Sequence, residues 1–405
     1  MGGERCRSIE LGLAVNRSLK KAPFHVYELR NEGHSILGAE GNTPAPGELE
    51  RLVMHTFANG ADGVFFFPWK RFPFGSEQNH GAITDFDGRP TRIYYECQAI
   101  GEHLQRLSEA LEGSMVVSEI AVLYDFPSRW HIEHPSDWSG HTGVYILHIN
   151  KLYHSVRKLG HNCDAVSRYG DFTPYKLLLV PMLPIIDDEL VHKLQQYAEG
   201  GGVIVFHPLS GIKNEEATYY KDRLHPGMLS LLGIHSLETA TSGTQTEVQF
   251  SWQNRLYKGD MLHELVQIDS ADVAGSFANQ WYKGYPAVTK HPFGTGHAWF
   301  IATFAEESFY LDFLTERCNE LRVPKLLGIT PPAPIEMTMR QQADGETYTF
   351  VINSSRDSAT LDLDRRMYDV WNNEWFEGSL PITPYGVRIL IEPSHPLGKG
   401  ARAHR

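Results

Sequence analysis

"GADGVFFFPWKRFPFGSEQNHGA", residues 60–82, joins a short apolar run to a loop dense in chemistry-bearing side chains. Val64 to Phe67 reads as a buried strand, and Pro68, which has no N–H to donate, ends it. Trp69, Lys70 and Arg71 follow, then a break at Pro73 and Gly75, then Glu77 and His80. A tryptophan, a carboxylate and an imidazole just past a buried strand suit the rim of a parallel α/β sheet or barrel. Sites in such folds lie at the carboxyl ends of strands.

Upstream, "FHVYE" (24–28) is a second apolar strand, ending on Glu28. The Gly/Asn/Pro-rich segment 31–47 leads into "PGELERLVMHTFANG", a helix with Pro46 near its start and Gly60 just past its end. Leu49, Leu52, Val53 and Phe57 share one of its faces. A helix over Thr91–Leu111 follows the rim loop, and a leading helix spans Ser8–Leu19. The order strand, helix, strand, helix is that of parallel βα units.

The pattern changes near Gly113. "EIAVLYD" (119–125) opens a new strand, and the Trp- and His-rich loop "FPSRWHIEHPSDWSGH" leads to a helix over about 144–159. "YKLLLVPML" (175–183) and "GVIVFHP" read as buried strands. Between them lies a helix that Asp187 caps and Gly200 to Gly202 end. "GHAWFIATF" and a helix over 307–321 close this part, a doubly wound α/β domain. After the proline-rich "VPKLLGITPPAP" the segments "IEMTMRQ", "TYTFVINSS", "ATLDL" and "GVRILIE" alternate and are broken by turns, as in a small antiparallel domain. The tail "SHPLGKGARAHR" is basic and reads as disordered.

The formal charge of -12 argues against nucleic acid or an anionic membrane as partner. No apolar run approaches the roughly 18 residues of a membrane helix. Cys6, Cys97, Cys163 and Cys318 lie far apart without a C-x-x-C pair, so neither a zinc site nor a disulfide framework is indicated. No metal or cofactor is expected, and the setting is reducing and cytoplasmic.

Glu28, Trp69, Glu77 and His80 would surround one pocket if the two strands were neighbours. An aromatic platform with carboxylate and imidazole suits a sugar ring, which has apolar faces and an equator of hydroxyls. Read alone, Glu28 also fits a strand-end partner of Lys21 or Arg30, Trp69 a core side chain, and Glu77 with His80 a surface pair. Cys163 beside His161 lacks the small-residue elbow of a nucleophile. His131, Glu133, His134, Asp137 and His141 do not have the spacing of a known ligand set, and an interface loop is the simpler account.

"FHVYELRN", then "PGELERLVMHTFANGADGVFFFPWK", then "GSEQNHGAI" resembles the last two barrel strands of glycoside hydrolase family 42 β-galactosidases. "AVLYDFPSRW", "YKLLLVPMLPIIDDELVHKLQQYAEGGGVIV" and "LLGI" resemble that family's trimerisation domain, which is glutamine-amidotransferase-like. The last β segment resembles its small C-terminal domain. The resemblance covers residues 15–393 as an ordered set. It implies an α/β chain of three parts. Residues 1–114 would be a partial (β/α)8 (TIM) barrel, its last two βα units. Residues 115–328 would be a flavodoxin/glutamine-amidotransferase-like doubly wound domain, and 329–394 an antiparallel β domain, with 395–405 a tail.

The resemblance further implies that Glu28 is the catalytic nucleophile, that Trp69 follows the eighth strand, and that Glu77 and His80 bind galactose hydroxyls. It implies a terminal β-D-galactoside or other small sugar as substrate and a homotrimer. The sequence departs from the family in three ways. Ile36 stands where the family has tryptophan. The Asn-Glu pair carrying the acid/base is missing, and so is the cysteine zinc cluster. A full barrel takes about 250 residues, so the chain reads as the C-terminal portion of such an enzyme. Two expectations follow: a retaining hydrolase that needs a complementing N-terminal barrel chain, or a non-catalytic oligomerisation or carbohydrate-binding remnant. The barrel segment is expected to pack on the 118–325 domain or a neighbouring subunit, or else to be the least stable part.

Overall fold

A computed structural model of the chain describes residues 2–30, 43–134, 143–243 and 246–392. Glu32, Ile36, Glu40, Asp137, His141 and the 395–405 tail lie outside these residues. The chain forms two compact units, Met1–Val117 with Lys325–Arg405, and Ser118–Pro324.

The first unit opens with α1 (Gly2–Lys20), β1 (Phe24–Arg30), α2 (Glu48–Ala58), β2 (Ala61–Phe67), α3 (Arg92–Leu111) and the short β3 (Met115–Val116). β1 and β2 form a two-stranded parallel sheet whose register runs from Phe24↔Ala61 to Arg30↔Phe67. Strand side chains alternate between faces. Val26, Leu29, Val64 and Phe66 pack on Leu49, Val53, Ile93 and Ile100 of α2 and α3. His25, Tyr27 and Phe65 are exposed on the other face. The run Val64–Phe67 is therefore half buried, where the sequence suggested full burial.

α2 has a second apolar face. Met54 and Ala58 pack on Tyr348, Phe350, Ile352, Val387 and Ile389. The single face read from Leu49 and Val53 is only one of two, because the helix lies between the two-stranded sheet and the C-terminal sheet.

The second unit contains β4 (Ile120–Leu123), α4 (Phe126–Glu133), α5 (Val144–Lys158), β5 (Asp164–Val166), β6 (Leu177–Val180), α6 (Asp188–Glu199) and β7 (Val203–Phe206). It continues with α7 (Pro226–Leu232), β8 (Ile234–Thr241), β9 (Val248–Trp252), β10 (Arg255–Ile268), β11 (Asp272–Phe277), β12 (Pro286–Phe293), β13 (Gly296–Ile301), β14 (Thr303–Ala305) and α8 (Glu307–Glu320). β5, β4, β6, β7 and β13 are parallel neighbours in that order. Numbered along the chain this is 2-1-3-4-5, a doubly wound order. From β13 the sheet runs on antiparallel through β12, β11, β9 and β10, with β8 and β14 both on β10. The unit is thus one mixed sheet of eleven strands.

α4 occupies a stretch that reads as loop. Asp125 caps it, accepting from the Ser128 N–H at 3.0 Å, and proline stands in its first turn. Asp187 caps α6 in the same way, accepting from Leu190 N–H at 2.7 Å. Buried Arg168 joins the two caps. Its Nε and Nη2 donate to the two oxygens of Asp125 at 2.6 and 2.8 Å, and its Nη1 donates to Asp187 at 2.9 Å.

β15 (Ile335–Gln341), β16 (Thr347–Asn353), β17 (Ala359–Asp369), β18 (Glu374–Ile382) and β19 (Val387–Ile391) complete the first unit. They form an antiparallel sheet in the order β18-β17-β19-β16-β15-β3. Its sixth strand is β3, pairing Val116 with Arg340 and Met115 with Gln341. The N-terminal segment therefore packs on the C-terminal sheet, which none of the expected arrangements included. Arg340 is wholly buried at this join. Its Nη1 donates to the Phe57 and Ala61 carbonyls at 3.0 and 3.1 Å. Its Nη2 donates to Asp62 at 2.7 Å and to the Ser114 and Leu111 carbonyls at 2.8 and 3.3 Å.

Candidate active site at the carboxyl ends of the parallel pair

Against β2, β1 gains a residue between Val26 and Leu29, which offsets the extra residue of β2 opposite Phe24–His25. Val26 faces Val64 and Leu29 faces Phe66, so three steps along β1 match two along β2. The bulge falls on Tyr27 and Glu28 and exposes both in succession. Bulges re-aim side chains and recur beside active sites. Here the bulge bares the Glu28 carboxylate two residues before the strand ends. Among the described residues its side chain has no hydrogen-bond or ion partner. Tyr27 lies flat on Phe65, with ring centroids 5.0 Å apart and planes 4° from parallel, and His25 stands about 6 Å from both.

Beyond β2, a cis Phe67–Pro68 bond leads to Trp69. The backbone of Trp69 is clamped, because its carbonyl accepts from the Thr84 N–H at 2.8 Å and the Thr84 hydroxyl at 3.0 Å. Its ring is 63% exposed and meets Tyr94 edge-on at 6.3 Å. A fixed backbone carrying an open indole suits a stacking platform. Residues 75–80 form a turn in which the Gly75 and Glu77 carbonyls accept from the N–H groups of Gln78 and His80. Glu77 is exposed, whereas His80 is half buried with its ring edge-on to Phe67 at 6.3 Å.

All four candidate residues thus lie toward the carboxyl ends of two adjacent parallel strands: Glu28 within β1, and Trp69, Glu77 and His80 in the loop after β2. Of the further carboxylates near Glu28 in sequence, Glu32 and Glu40 lie outside the described residues. The aromatic face of His25, Tyr27 and Phe65 escaped the sequence reading, although the alternation of 24–28 with 63–67 carries it.

The other candidates are engaged elsewhere. Burial, and then the neighbouring Glu96, push the Cys97 thiol up to about 11, which leaves it unreactive. Cys163 is buried. Glu133 pairs with Arg129 at 2.9 Å, and His131 Nε2 lies 2.9 Å from Lys213 Nζ. Among the described residues no helix is long and apolar enough to cross a membrane.

Three family models match the chain: β-galactosidase over residues 4–107, the β-galactosidase trimerisation domain over 118–324, and the β-galactosidase C-terminal domain over 335–392. β-Galactosidase GanA of Bacillus subtilis is 28% identical over 379 residues, which are 93% of this chain and 56% of GanA. β-Galactosidase BgaA of Planococcus is 28% identical over 356 residues, 86% of this chain and 52% of BgaA. The chain thus spans about half the length of the curated relatives it matches. The solved structure of Gan42B, a family 42 β-galactosidase from G. stearothermophilus, superposes with a TM-score of 0.92 at 24% identity, covering 97% of this chain and 57% of that one. That likeness concerns the fold. With three models matched in order along one chain, the middle one alone spanning half of it, the chain belongs to glycoside hydrolase family 42.

Proposed function

We propose that the chain carries the nucleophile side of a retaining β-galactosidase. In this reading β1 and β2 are the last two strands of a (β/α)8 barrel and Glu28 is the nucleophile. Trp69 is the platform for the galactose ring, and Glu77 and His80 bind its hydroxyls. The observation that carries the reading is a carboxylate bared toward the carboxyl end of a parallel strand, with a clamped, open tryptophan just past the end of the neighbouring strand. Glu28 would attack the anomeric carbon while an acid protonates the departing oxygen. Water would then release the sugar with that second residue acting as base. The second carboxyl belongs about 5 to 5.5 Å from the first.

We place that acid/base on further βα units that complement residues 1–117. Parallel strands are normally covered on both faces. The outer edges of β1 and β2 are unpaired among the described residues, and the His25–Tyr27–Phe65 face lies open, as a surface awaiting more barrel would. Residues 118–324 assemble the chain as a homotrimer. Cys97, Cys163 and Cys318 form no disulfide among the described residues, which agrees with a cytoplasmic setting.

The test is hydrolysis of an aryl β-galactoside, which needs little protonation of its leaving group. The chain alone is expected to turn over little or none, since general acid catalysis is worth about 10²- to 10⁴-fold. With the complementing units, turnover is expected at about 1 to 10³ per second and is lost in Glu28→Gln. Full activity retained in Glu28→Gln would overturn the assignment. Galactose binding without turnover in the complemented protein would leave a carbohydrate-binding role in its place.

A further inference from the structure

Away from the strand ends, α1, α2 and β15 bring Glu10, His55 and Glu336 together inside the first unit. Glu10 and His55 are almost wholly buried, and the Glu336 side chain keeps 21% of its surface. Glu10 Oε1 lies 2.9 Å from His55 Nε2, and Glu336 Oε2 lies 3.2 Å from the same nitrogen. A ring nitrogen presents either one N–H or one lone pair. Glu10 stands at hydrogen-bond distance from it, whereas Glu336 Oε2, itself buried, makes no hydrogen bond. Two carboxylate oxygens and one imidazole nitrogen therefore crowd a common point. A buried carboxylate and a partly exposed one converge there, and a cation at that point, whether an imidazolium or a metal ion, offsets the cost.

We propose that Glu10, His55 and Glu336 form a binding site for a zinc-class divalent cation. Their three donor atoms lie within 4.8 Å of one another. Zinc holds nitrogen and oxygen ligands at about 2.0 to 2.2 Å, which sets neighbouring ligands of a tetrahedron about 3.3 Å apart. The two separations from Nε2, 2.9 and 3.2 Å, need to open by a few tenths of an ångström, and the two carboxylate oxygens, within 4.8 Å of each other, to close onto the ion. The ion replaces the proton on Nε2, and its two positive charges balance the two carboxylates. The exposed edge of Glu336 gives it a way in and leaves a fourth position for water. Magnesium, which asks for six oxygen ligands in an octahedron, does not match this donor set.

The role is structural, because the ligands come from α1, α2 and β15 and the ion would join all three. His55 Nδ1 is buried and without an acceptor. Partners of that kind are typically worth about 10- to 100-fold in affinity, so the site binds more weakly than a closed structural zinc centre.

The test is titration of the full chain, stripped by chelator at neutral pH, with Zn²⁺ by calorimetry and with Co²⁺ by its visible absorption. One saturable site per chain is expected, with intense tetrahedral Co²⁺ bands and a rise in Tm that chelator reverses and Mg²⁺ does not reproduce. Glu336→Gln and His55→Gln are expected to weaken binding at least about tenfold and to lose the Co²⁺ bands. Zn²⁺ binding of equal affinity in Glu336→Gln, or no saturable site in the unaltered chain, would overturn the proposal and leave an imidazolium held between two carboxylates. Should His55→Gln fail to fold, Glu336→Gln decides the matter, since its side chain is partly exposed.

Discussion

Arg340 does at one residue what a whole interface does elsewhere. Its guanidinium satisfies four carbonyls and Asp62 of the N-terminal segment from a fully buried position. Arg340→Met is expected to destabilise the first unit by about 3 kcal/mol, because Asp62 and the Ala61 and Ser114 carbonyls lose a buried charged donor, while the Phe57 and Leu111 carbonyls keep the Gly60 and Ser114 N–H groups. Arg340→Lys should recover only part of this, lacking the planar five-donor fork. Denaturant unfolding of the two variants checks this, and a loss under about 1 kcal/mol for Arg340→Met would refute it. In the second unit His207 and His263 act through acid. Burial holds both near pKa 4, below the ordinary histidine value, and His207 keeps its Nδ1 on the Val180 carbonyl at 2.9 Å. With the folded pKa lowered, the unfolded chain takes up protons first as pH falls. Stability is therefore complete above about pH 6.5 and drains away between about 6.5 and 4. Each histidine is expected to cost about 2 kcal/mol at pH 5. Unfolding measured at pH 7.5 and 5.0 checks this, with a shallower difference expected in His207→Asn.

At the scale of elements, β1 and β2 have one neighbour each among the described residues, whereas β6 and β7 lie inside a continuous sheet and are buried throughout. Amides of 24–28 and 63–67 are expected to exchange with deuterium well before those of 177–180 and 203–206. Equal protection would show that the open pair is covered. Most of these elements are legible in the sequence because their signals are local. The apolar run 64–67 stops at Pro68, Asp187 stands where a helix begins, and "KLLLV" has no polar residue after its lysine. The bulge at Tyr27–Glu28 is not legible, since it depends on the register against β2. α4 hid among histidines and tryptophans, although Asp125 followed by Pro127 marks a helix start. The second face of α2 needed its partner, a sheet nearly 300 residues downstream. The antiparallel strands from β8 to β12 alternate well enough to be read, yet nothing local says they extend a parallel sheet. The order of the two strands groups Glu28, Trp69, Glu77 and His80 as candidates, and only the resemblance to a family gives each of them a role.

At the scale of the molecule, residues 118–324 are inserted between the two stretches that build the first unit. Both ends of the insertion are tied to one turn: Ser118 Oγ donates to the Asn162 carbonyl at 2.9 Å, and His161 Nδ1 lies 3.0 Å from the Pro324 carbonyl. If the insertion is the assembly unit, light scattering at micromolar concentration should give three times the mass of 45.8 kDa. A monomer there would sink the trimer. The join at Arg340 has a further consequence, for synthesis. Asp62 and Arg340 are 278 residues apart. A ribosome adding about 5 to 20 residues per second needs roughly 14 to 56 s to travel from one to the other. For that time β3 has no strand beside it, and the face of α2 bearing Met54 and Ala58 has only α3, through Leu107 and Leu111, against it. The exposure of the nascent N-terminal segment over that interval is set by the rate of translation, and slow codons before residue 335 are expected to lengthen its exposure to proteolysis without altering a single contact in the finished protein.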